Sequence, residues 1–210
     1  MKKVFALLLA LSMVFALCAC GSSSAPAATT APAADAAPAA DATAESYSLN
    51  FTTGGSAGTY YAYGSVLAQY VSSNSNVSVT AVTGNGSQAN VNDLDAGATD
   101  LAFCQSDVMS YAYNGTNLFE ETGAVTSFSV VADLYLEQVQ IVTTNPDIKT
   151  VADLKGKVVS VGAIGSGVYF NALDVLGVYD ITLDDITPVY QSFGDSAESL
   201  KDGKIDAGFI

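Results

Sequence analysis

The 210-residue sequence contains no arginine and no histidine, and its seven lysines face 21 acidic residues, for a net charge of −14. Without arginine, no side chain can hold a carboxylate in a bidentate guanidinium fork. An anionic ligand would therefore depend on backbone N–H groups, hydroxyls, amides or a lysine. Without histidine, the commonest general base and metal ligand is missing. The negative charge also excludes nucleic acid as a partner, because phosphate binding needs clustered cations.

Cysteine is also scarce, and two of the three cysteines lie near the N-terminus. Residues 1–3 (Met-Lys-Lys) precede an apolar run, 4–16, that is short for a bilayer-spanning helix. The following Leu-Cys-Ala-Cys resembles a bacterial lipobox, so residues 1–20 are predicted to be a lipoprotein signal peptide with Cys20 lipidated. The alternative is an ordinary secretory signal with a chance cysteine. Cys104 would remain as the last thiol, unable to form an internal disulfide and suited to a buried structural role.

Large apolar residues are missing from residues 21–45, which are almost entirely Ala, Pro, Ser, Thr and Asp. Such a segment cannot bury a core, so it is predicted to be a disordered tether. An Ala-rich helix is the alternative, but Pro26, Pro32 and Pro38 would break it. Together with the lipobox, the tether predicts an extracytoplasmic domain held at the cell membrane by a lipid anchor.

From residue 46 onward, short apolar runs alternate with helical patterns. Strands are predicted at 47–51, 77–81, 100–104, 128–134, 139–143 and 158–161. Residues 88–96 are predicted to be a helix with Ser87 as its N-cap, and Thr150 and Asp153 have the spacing of a capping box. Strands that alternate with helices indicate an α/β fold with largely parallel sheets.

Two glycine-rich loops follow predicted strands and open predicted helices. The first covers residues 54–61 (Gly-Gly-Ser-Ala-Gly-Thr-Tyr-Tyr) and the second covers 165–170 (Gly-Ser-Gly-Val-Tyr-Phe). Glycine allows close backbone approach, and a helix N-terminus offers free N–H groups and partial positive charge to an anion. The alternative for either loop alone is a tight turn without a ligand. Tyr60, Tyr63 and Tyr70 share one helix face, where core packing is the expected role; only Tyr60 adjoins the loop.

An internal repeat suggests two similar lobes. Residues 94–103 and 200–209 share the pattern L-x-x-G-x-x-D-x-x-F, and the glycine loops align at nearly the same offset. We therefore predict a first lobe at 46–138 and a second at 139–210, facing each other across a cleft. The alternative is that any two βα units look alike. Because the chain ends at Ile210 inside an expected strand, the second lobe is predicted to be incomplete and the sequence an N-terminal fragment.

The motifs of residues 46–210 resemble the TAXI family, the TRAP-associated extracytoplasmic immunogenic proteins. The matching segments are 53–61 (TGGSAGTYY), 83–90, 94–100, 105–107 (QSD), 134–137, 151–157 (VADLKGK) and 165–167 (GSG). The resemblance implies a type II periplasmic-binding-protein fold and capture of a small carboxylate or amino acid, with glutamate-like ligands among those of the family. It also implies delivery to a TRAP-type membrane permease driven by a sodium or proton gradient.

The cleft residues carried over from this resemblance belong to the two loops and to three segments between them. They are Ser56, Gly58, Thr59, Tyr60, Ser87, Gln105, Asp107, Tyr135, Glu137, Ser166, Gly167 and Val168. We expect the ligand carboxylate at a helix N-terminus, Tyr60 and Tyr135 as walls, and Glu137 or Asp107 opposite a ligand ammonium. For Glu137, a solvated loop carboxylate is the alternative.

Other functional classes remain as alternatives to this prediction. The first is an ABC-type receptor of the same fold, for an aromatic precursor or an oxyanion, and another is a surface antigen or adhesin without a small ligand. A secreted enzyme is not favoured, because the sequence has neither histidine nor a G-x-S-x-G or P-loop motif. No catalytic residue, metal or cofactor is predicted.

Overall fold

A computed structural model describes residues 45–210, which lie in one compact unit. The predicted signal peptide, Cys20 and residues 21–44 of the predicted tether fall outside the described residues. The strands are β1 (Tyr47–Thr52), β2 (Val77–Val82), β3 (Leu101–Ala102), β4 (Ile141–Thr143), β5 (Val158–Ser160), β6 (Thr187–Val189) and β7 (Ala207–Phe209). The helices are α1 (Thr59–Asn74), α2 (Ser87–Asp95), α3 (Ser106–Asn114), α4 (Gly167–Val178) and α5 (Phe193–Lys201), with 3-10 turns at Asn117–Phe119, Val151–Leu154 and Leu183–Asp185.

Two sheets organise these elements. The first has the order β2-β1-β3 with every pair parallel, and the second has the order β4-β7-β5-β6, in which only β4 runs antiparallel to its neighbour. We call β1–β3 with α1–α3 the three-stranded side, and β4–β7 with α4 and α5 the four-stranded side. The predicted α/β fold with largely parallel sheets is confirmed.

Each side has its own buried cluster. The four-stranded side is built around Leu154, Val159, Val161, Leu176 and Phe209, each 1% exposed or less. The cluster of the three-stranded side takes Val91 from α2, Val108 and Ala112 from α3, and Phe119 from the turn after α3. Its remaining members are Val125 and Phe170, and Phe170 belongs to α4 of the other side.

Helix α1 packs on its small residues, while Tyr63 and Tyr70 stay exposed. Gly64 and Ala68 are its buried residues, and a Cβ on Gly64 would lie 2.7 Å from the Thr53 side chain. Tyr63 and Tyr70 are 43% and 66% exposed, so the expectation that they pack in the core is wrong for both. The reason is that close approach of the helix to β1 leaves no room for a ring on the buried face.

The helix starts also differ from prediction in detail. Gly86 and not Ser87 is the N-cap of α2, and the Ser87 hydroxyl instead accepts a hydrogen bond from the Gln105 N–H at 3.0 Å. The capping box of Thr150 with Asp153 is confirmed, although it opens a 3-10 turn and not an α-helix.

The strand predicted at 128–134 is absent, and residues 128–140 form an extended segment without assigned secondary structure. Val131 and Leu136 are 85% and 92% exposed there. Residues 126–139 make no backbone hydrogen bond to any other part of the chain that the structure describes. The apolar residues of a strand are present in this segment, but a neighbouring strand to complete a ladder is not.

Candidate functional site

A cleft of about 430 Å³ lies at the carboxyl ends of the parallel strands of both sheets. Its lining comes from the loops that follow β1, β2, β3, β5 and β6, and from the extended segment before β4. This is the place where α/β sheets present their ligand-binding loops. The lining residues are Gly54, Gly55, Gly58, Thr59, Tyr60, Asn85, Gly86, Ser87, Gln105, Tyr135, Leu136, Glu137, Gln138, Val139, Gln140, Ser166, Gly167, Val168, Asn171, Phe193 and Ile210.

The five α-helices of residues 45–210 all begin at this cleft. The N-caps Gly58, Gly86, Gln105 and Ser166 of α1 to α4 line it, and so does Phe193, the first residue of α5. Each helix start carries N–H groups without intrahelical partners and a partial positive charge of about half a unit. The cleft therefore has a positive backbone potential although the chain is strongly acidic.

Cationic side chains contribute nothing to that potential, because none of the lining residues is a lysine. Among residues 45–210 there is also no group of three or more Cys, Asp or Glu side chains that could hold a metal ion. The only charged side chain in the lining is the Glu137 carboxylate. Anion recognition in this cleft must therefore come from backbone N–H groups, hydroxyls and amides.

Gly86 and Gly167 allow the two sides to approach each other closely. A Cβ on Gly86, whose φ is +106°, would lie 3.1 Å from the Ser166 Cα. A Cβ on Gly167 would overlap the Gln105 Oε1, so any side chain at this position would displace the Gln105 amide. Glycine is thus required at 167 by the packing of Gln105 against the start of α4.

A chain of polar side chains crosses from one side of the cleft to the other. The Gln105 Nε2 donates to the Asn171 Oδ1 at 2.7 Å, and the Asn171 Nδ2 donates to the Asp107 Oδ2 at 2.9 Å. The Ser166 Oγ caps α4 by accepting from the Tyr169 N–H at 3.2 Å. These bonds fix the amides of Gln105 and Asn171 at the cleft wall.

Tyr60, Tyr135 and Glu137 form an aromatic and acidic wall. Burial, and then the nearby Glu137 carboxylate, raises the pKa of Tyr60 well above its ordinary value, and the same two causes raise the pKa of Tyr135 to about 12. Desolvation raises the pKa of the Glu137 carboxyl, opposed by the Tyr60 hydroxyl. The Tyr135 hydroxyl is buried without a hydrogen-bond partner among the described residues. The wall thus keeps both phenols protonated as hydrogen-bond donors.

Cys104, the free thiol predicted to have a structural role, is partly buried and packs against the cluster of the three-stranded side. Burial raises the pKa of its thiol to about 12, so it is held as a thiol and is a poor nucleophile.

Ten of the predicted site residues line the cleft: Gly58, Thr59, Tyr60, Ser87, Gln105, Tyr135, Glu137, Ser166, Gly167 and Val168. The structure places Ser56 in an exposed turn outside the lining, and Asp107 behind Asn171, which occupies its carboxylate. Asn171 and Phe193 were not predicted. Asn171 lies four residues after Gly167 in α4, and its place in the cleft depends on its hydrogen bond with Gln105, which no local sequence pattern signals. Phe193 follows Ser192, the N-cap of α5.

The α/β sheets with the cleft at their carboxyl ends have the type II periplasmic-binding-protein fold. Residues 51–210 match the model of the NMT1-like family, and the chain belongs to that family.

Solved structures of solute-binding proteins are similar to this chain. Alkanesulfonate-binding SsuA from Xanthomonas axonopodis pv. citri is 23% identical with a TM-score of 0.50, over 80% of this chain and 55% of that one. A Streptococcus pneumoniae ABC uptake transporter substrate-binding protein with bound histidine is 21% identical with a TM-score of 0.50, over 78% and 65%. A Pseudomonas aeruginosa binding-protein component of an ABC phosphonate transporter is 12% identical with a TM-score of 0.52, over 79% and 57%. The chain spans about half the length of the solved structures it matches first.

Proposed function

We propose that this protein is an extracytoplasmic solute-binding receptor that captures a small organic anion or amino acid in the cleft and delivers it to a TRAP-type permease. The observation that carries the proposal is the convergence of five helix starts on one cleft whose lining has no cationic side chain. The TAXI-like motifs of residues 53–61, 151–157 and 165–167 support the TRAP assignment.

The charge pattern of the cleft suits a ligand that carries both a carboxylate and an ammonium group. Interaction of an anion with a helix N-terminus contributes about 0.3–1 kcal/mol at an exposed site and up to about 2 kcal/mol where it is partly buried. The starts of α1 and α4 supply such N–H groups through Thr59 and Val168. Glu137 supplies the one formal negative charge and would attract a ligand ammonium. A glutamate-like amino acid satisfies both ends.

An ABC-type receptor for an oxyanion is the alternative. It is supported by the alkanesulfonate-binding protein and by the component of an ABC phosphonate transporter that share the fold. Sulfonate and phosphonate groups would use the same helix N-termini. A TRAP permease gene beside the coding gene would favour the first proposal, and an ABC ATPase gene would favour the second. A surface antigen or adhesin without a small ligand is a further alternative, and no enzymatic activity is proposed.

A thermal-shift screen on the full chain tests the binding function. The panel should include amino acids, dicarboxylates, aromatic acids, alkanesulfonates and phosphonates, and a ligand should raise the Tm in proportion to the logarithm of its concentration. Gly58→Leu should abolish the shift, because its side chain would enter the cleft beside Phe193, 3.4 Å from the Gly58 Cβ position.

Gly177→Leu is the matched control, since no atom lies within 4 Å of a Cβ at that exposed helical position. It should retain the full ligand-induced shift. A ligand whose shift survives in Gly58→Leu does not bind in this cleft, and a panel without any shift would favour the antigen or adhesin.

The location of the protein is also a proposal. We infer that Cys20 carries a lipid that anchors the protein to the outer face of the cell membrane. Among residues 45–210, no helix is both long and apolar enough to cross a membrane. Incorporation of labelled palmitate into the protein, and its loss in Cys20→Ala, would support the anchor; equal labelling of both would contradict it.

A further inference from the structure

The sequence contains two Asn-Gly dipeptides, Asn85–Gly86 and Asn114–Gly115. An asparagine followed by glycine is the dipeptide most prone to lose its side-chain ammonia, because glycine has no side chain to hinder the approach of its nitrogen to the asparagine side chain. Whether a folded protein permits this reaction depends on how the two residues are held. The structure holds these two dipeptides in opposite ways.

Hydrogen bonds hold the Asn114–Gly115 dipeptide in place. Asn114 is the last residue of α3, and its Nδ2 donates to the Ser110 carbonyl oxygen at 2.8 Å. The Gly115 N–H donates to the Ala112 carbonyl oxygen at 3.2 Å, and a Cβ on Gly115 would lie 2.8 Å from the Ala124 nitrogen. Both the side-chain amide and the glycine nitrogen would have to leave their hydrogen bonds before they could react with each other.

The Asn85–Gly86 dipeptide has no such restraint. Asn85 is exposed, in the loop without secondary structure between β2 and α2. Within the described residues, neither the Asn85 side-chain amide nor the Gly86 N–H has a hydrogen-bond partner. Both residues line the cleft, so water in the cleft reaches them. The two groups that must meet are therefore free to do so in the folded protein.

We propose that Asn85–Gly86 is a self-modification site, at which the Gly86 nitrogen attacks the Asn85 side chain and the reaction leaves a second carboxylate in the cleft. Hydroxide or water removes the Gly86 N–H proton, and the nitrogen then forms a bond to the Asn85 Cγ. The bond from Cγ to Nδ2 breaks, and Nδ2 takes up a proton and leaves as ammonia.

One water molecule then opens the five-membered imide that this step forms. Attack of water on Cγ gives aspartate at position 85 with the original peptide bond. Attack on the backbone carbonyl carbon gives isoaspartate, in which the peptide bond runs through the former side chain. Either product carries one carboxylate where the chain had a neutral amide.

The new carboxylate changes the charge of the cleft. Glu137 is the only charged side chain in the lining, so the conversion doubles the formal negative charge and adds no cation. Position 85 precedes Gly86, the N-cap of α2, where a carboxylate is stabilised by the same partial positive charge that attracts an anionic ligand. The aspartate product should therefore compete with a ligand carboxylate and leave the fold intact. This consequence rests on the proposed function, whereas the reaction itself does not.

Peptide mapping by mass spectrometry, on the full chain kept folded in mildly alkaline buffer, tests the reaction. Replacement of the side-chain NH2 by OH should accumulate at Asn85 at least about tenfold faster than at Asn114, whose hydrogen bonds must open first. In urea, where neither dipeptide is held, the two rates should become similar. Asn85→Gln should suppress the conversion at this position, because its longer side chain would have to form a six-membered ring. Equal rates at the two positions in the folded chain, or conversion of Asn85 only in urea, would overturn the proposal.

Calorimetry with L-glutamate tests the consequence for binding. Asn85→Asp reproduces the product directly and should bind L-glutamate at least about tenfold more weakly than the wild type, because like charges in one site oppose each other. Its Tm without ligand should not fall. Asn114→Asp adds the same charge outside the cleft and should bind as the wild type does. Equal affinity of Asn85→Asp and the wild type would contradict the effect of the new carboxylate. A wild type that does not bind L-glutamate would count against the proposed ligand class, and the mass spectra would still decide the modification.

Discussion

Asn90 of α2 is expected to hold three cleft segments in register. It has no exposed surface, and its Nδ2 donates to the carbonyl oxygens of Thr53 at 2.7 Å and Phe103 at 2.8 Å. These residues follow β1 and β3 and precede the cleft-lining Gly54 and Gln105 segments. Asn90 therefore connects the start of α2 to the ends of two strands, and Asn90→Asp should remove this connection with almost no change in side-chain volume.

The expected loss of stability follows from the two hydrogen bonds. Each buried carbonyl left without its donor costs about 1–3 kcal/mol, so Asn90→Leu, which leaves two of them, should lose roughly 2–6 kcal/mol at any pH. In Asn90→Asp, the ionised side chain would also place a carboxylate against two carbonyl oxygens, and breaking a buried polar pair in this way typically costs about 3–5 kcal/mol. In the folded variant the new carboxyl should therefore have a raised pKa, and once protonated it can donate to one carbonyl.

The direction in which stability changes with pH distinguishes a buried, ionised carboxylate in Asn90→Asp from a simple packing defect. A carboxyl with a pKa higher in the folded than in the unfolded state loses stability as pH rises above about 4, the unfolded pKa. Urea denaturation followed by circular dichroism should thus show Asn90→Asp far below wild type at pH 7 and closer to it at about pH 4. Asn90→Leu should show a constant deficit, and Asn92→Asp, an exposed position on the same helix, should show almost none. A deficit of Asn90→Asp that is independent of pH would refute the reasoning.

Three further changes test other parts of the cleft. Gly167→Ala should displace the Gln105 amide, since the new Cβ would overlap its Oε1, and ligand affinity should fall at least tenfold by calorimetry. At pH values above the raised pKa of the Glu137 carboxyl, Glu137→Gln should have a higher Tm than the wild type, because desolvation disfavours the ionised carboxylate. Below about pH 4 the two Tm values should be equal, and a higher Tm that persists there would contradict this. Ser166→Ala should lose about 1 kcal/mol of unfolding free energy by urea titration, because the Tyr169 N–H loses its cap, whereas Ser166→Gly should lose only a few tenths.

The fold could be predicted from local sequence because its elements are short and regularly punctuated. Alternating apolar residues predicted β1 and β2 to within a residue or two, and glycine loops predicted the starts of α1 and α4. The failure at 128–134 has a different cause. An apolar segment can form a strand only where a partner strand lies beside it. No partner lies beside this segment among the described residues.

The site was predictable where a residue adjoins a recognisable loop and was missed where it depends on tertiary contact. Gly58, Ser87 and Gly167 follow directly from the strand-to-helix turns. Asn171 lines the cleft because Gln105, 66 positions earlier, draws its amide there, and no local pattern encodes that contact. Phe193 lines the cleft because α5 begins opposite α1. That placement depends on how the two sheets pack together, and neither sequence segment shows it alone.

The positions of the helix starts explain how this cleft could bind an anion without arginine. A guanidinium fork brings a full charge and a long side chain that must be ordered on binding, whereas backbone N–H groups at Thr59 and Val168 are already ordered by their helices. They carry only partial charge, so several must converge to replace one arginine, and the cleft gathers five helix starts. Because these partial charges do not titrate and the phenols of Tyr60 and Tyr135 are held protonated, the Glu137 carboxyl, whose pKa is raised by burial, is the side chain of the lining whose charge changes with pH. Affinity for a ligand ammonium should therefore follow the ionisation of this one carboxyl, while affinity for the ligand carboxylate should depend on the backbone and stay constant.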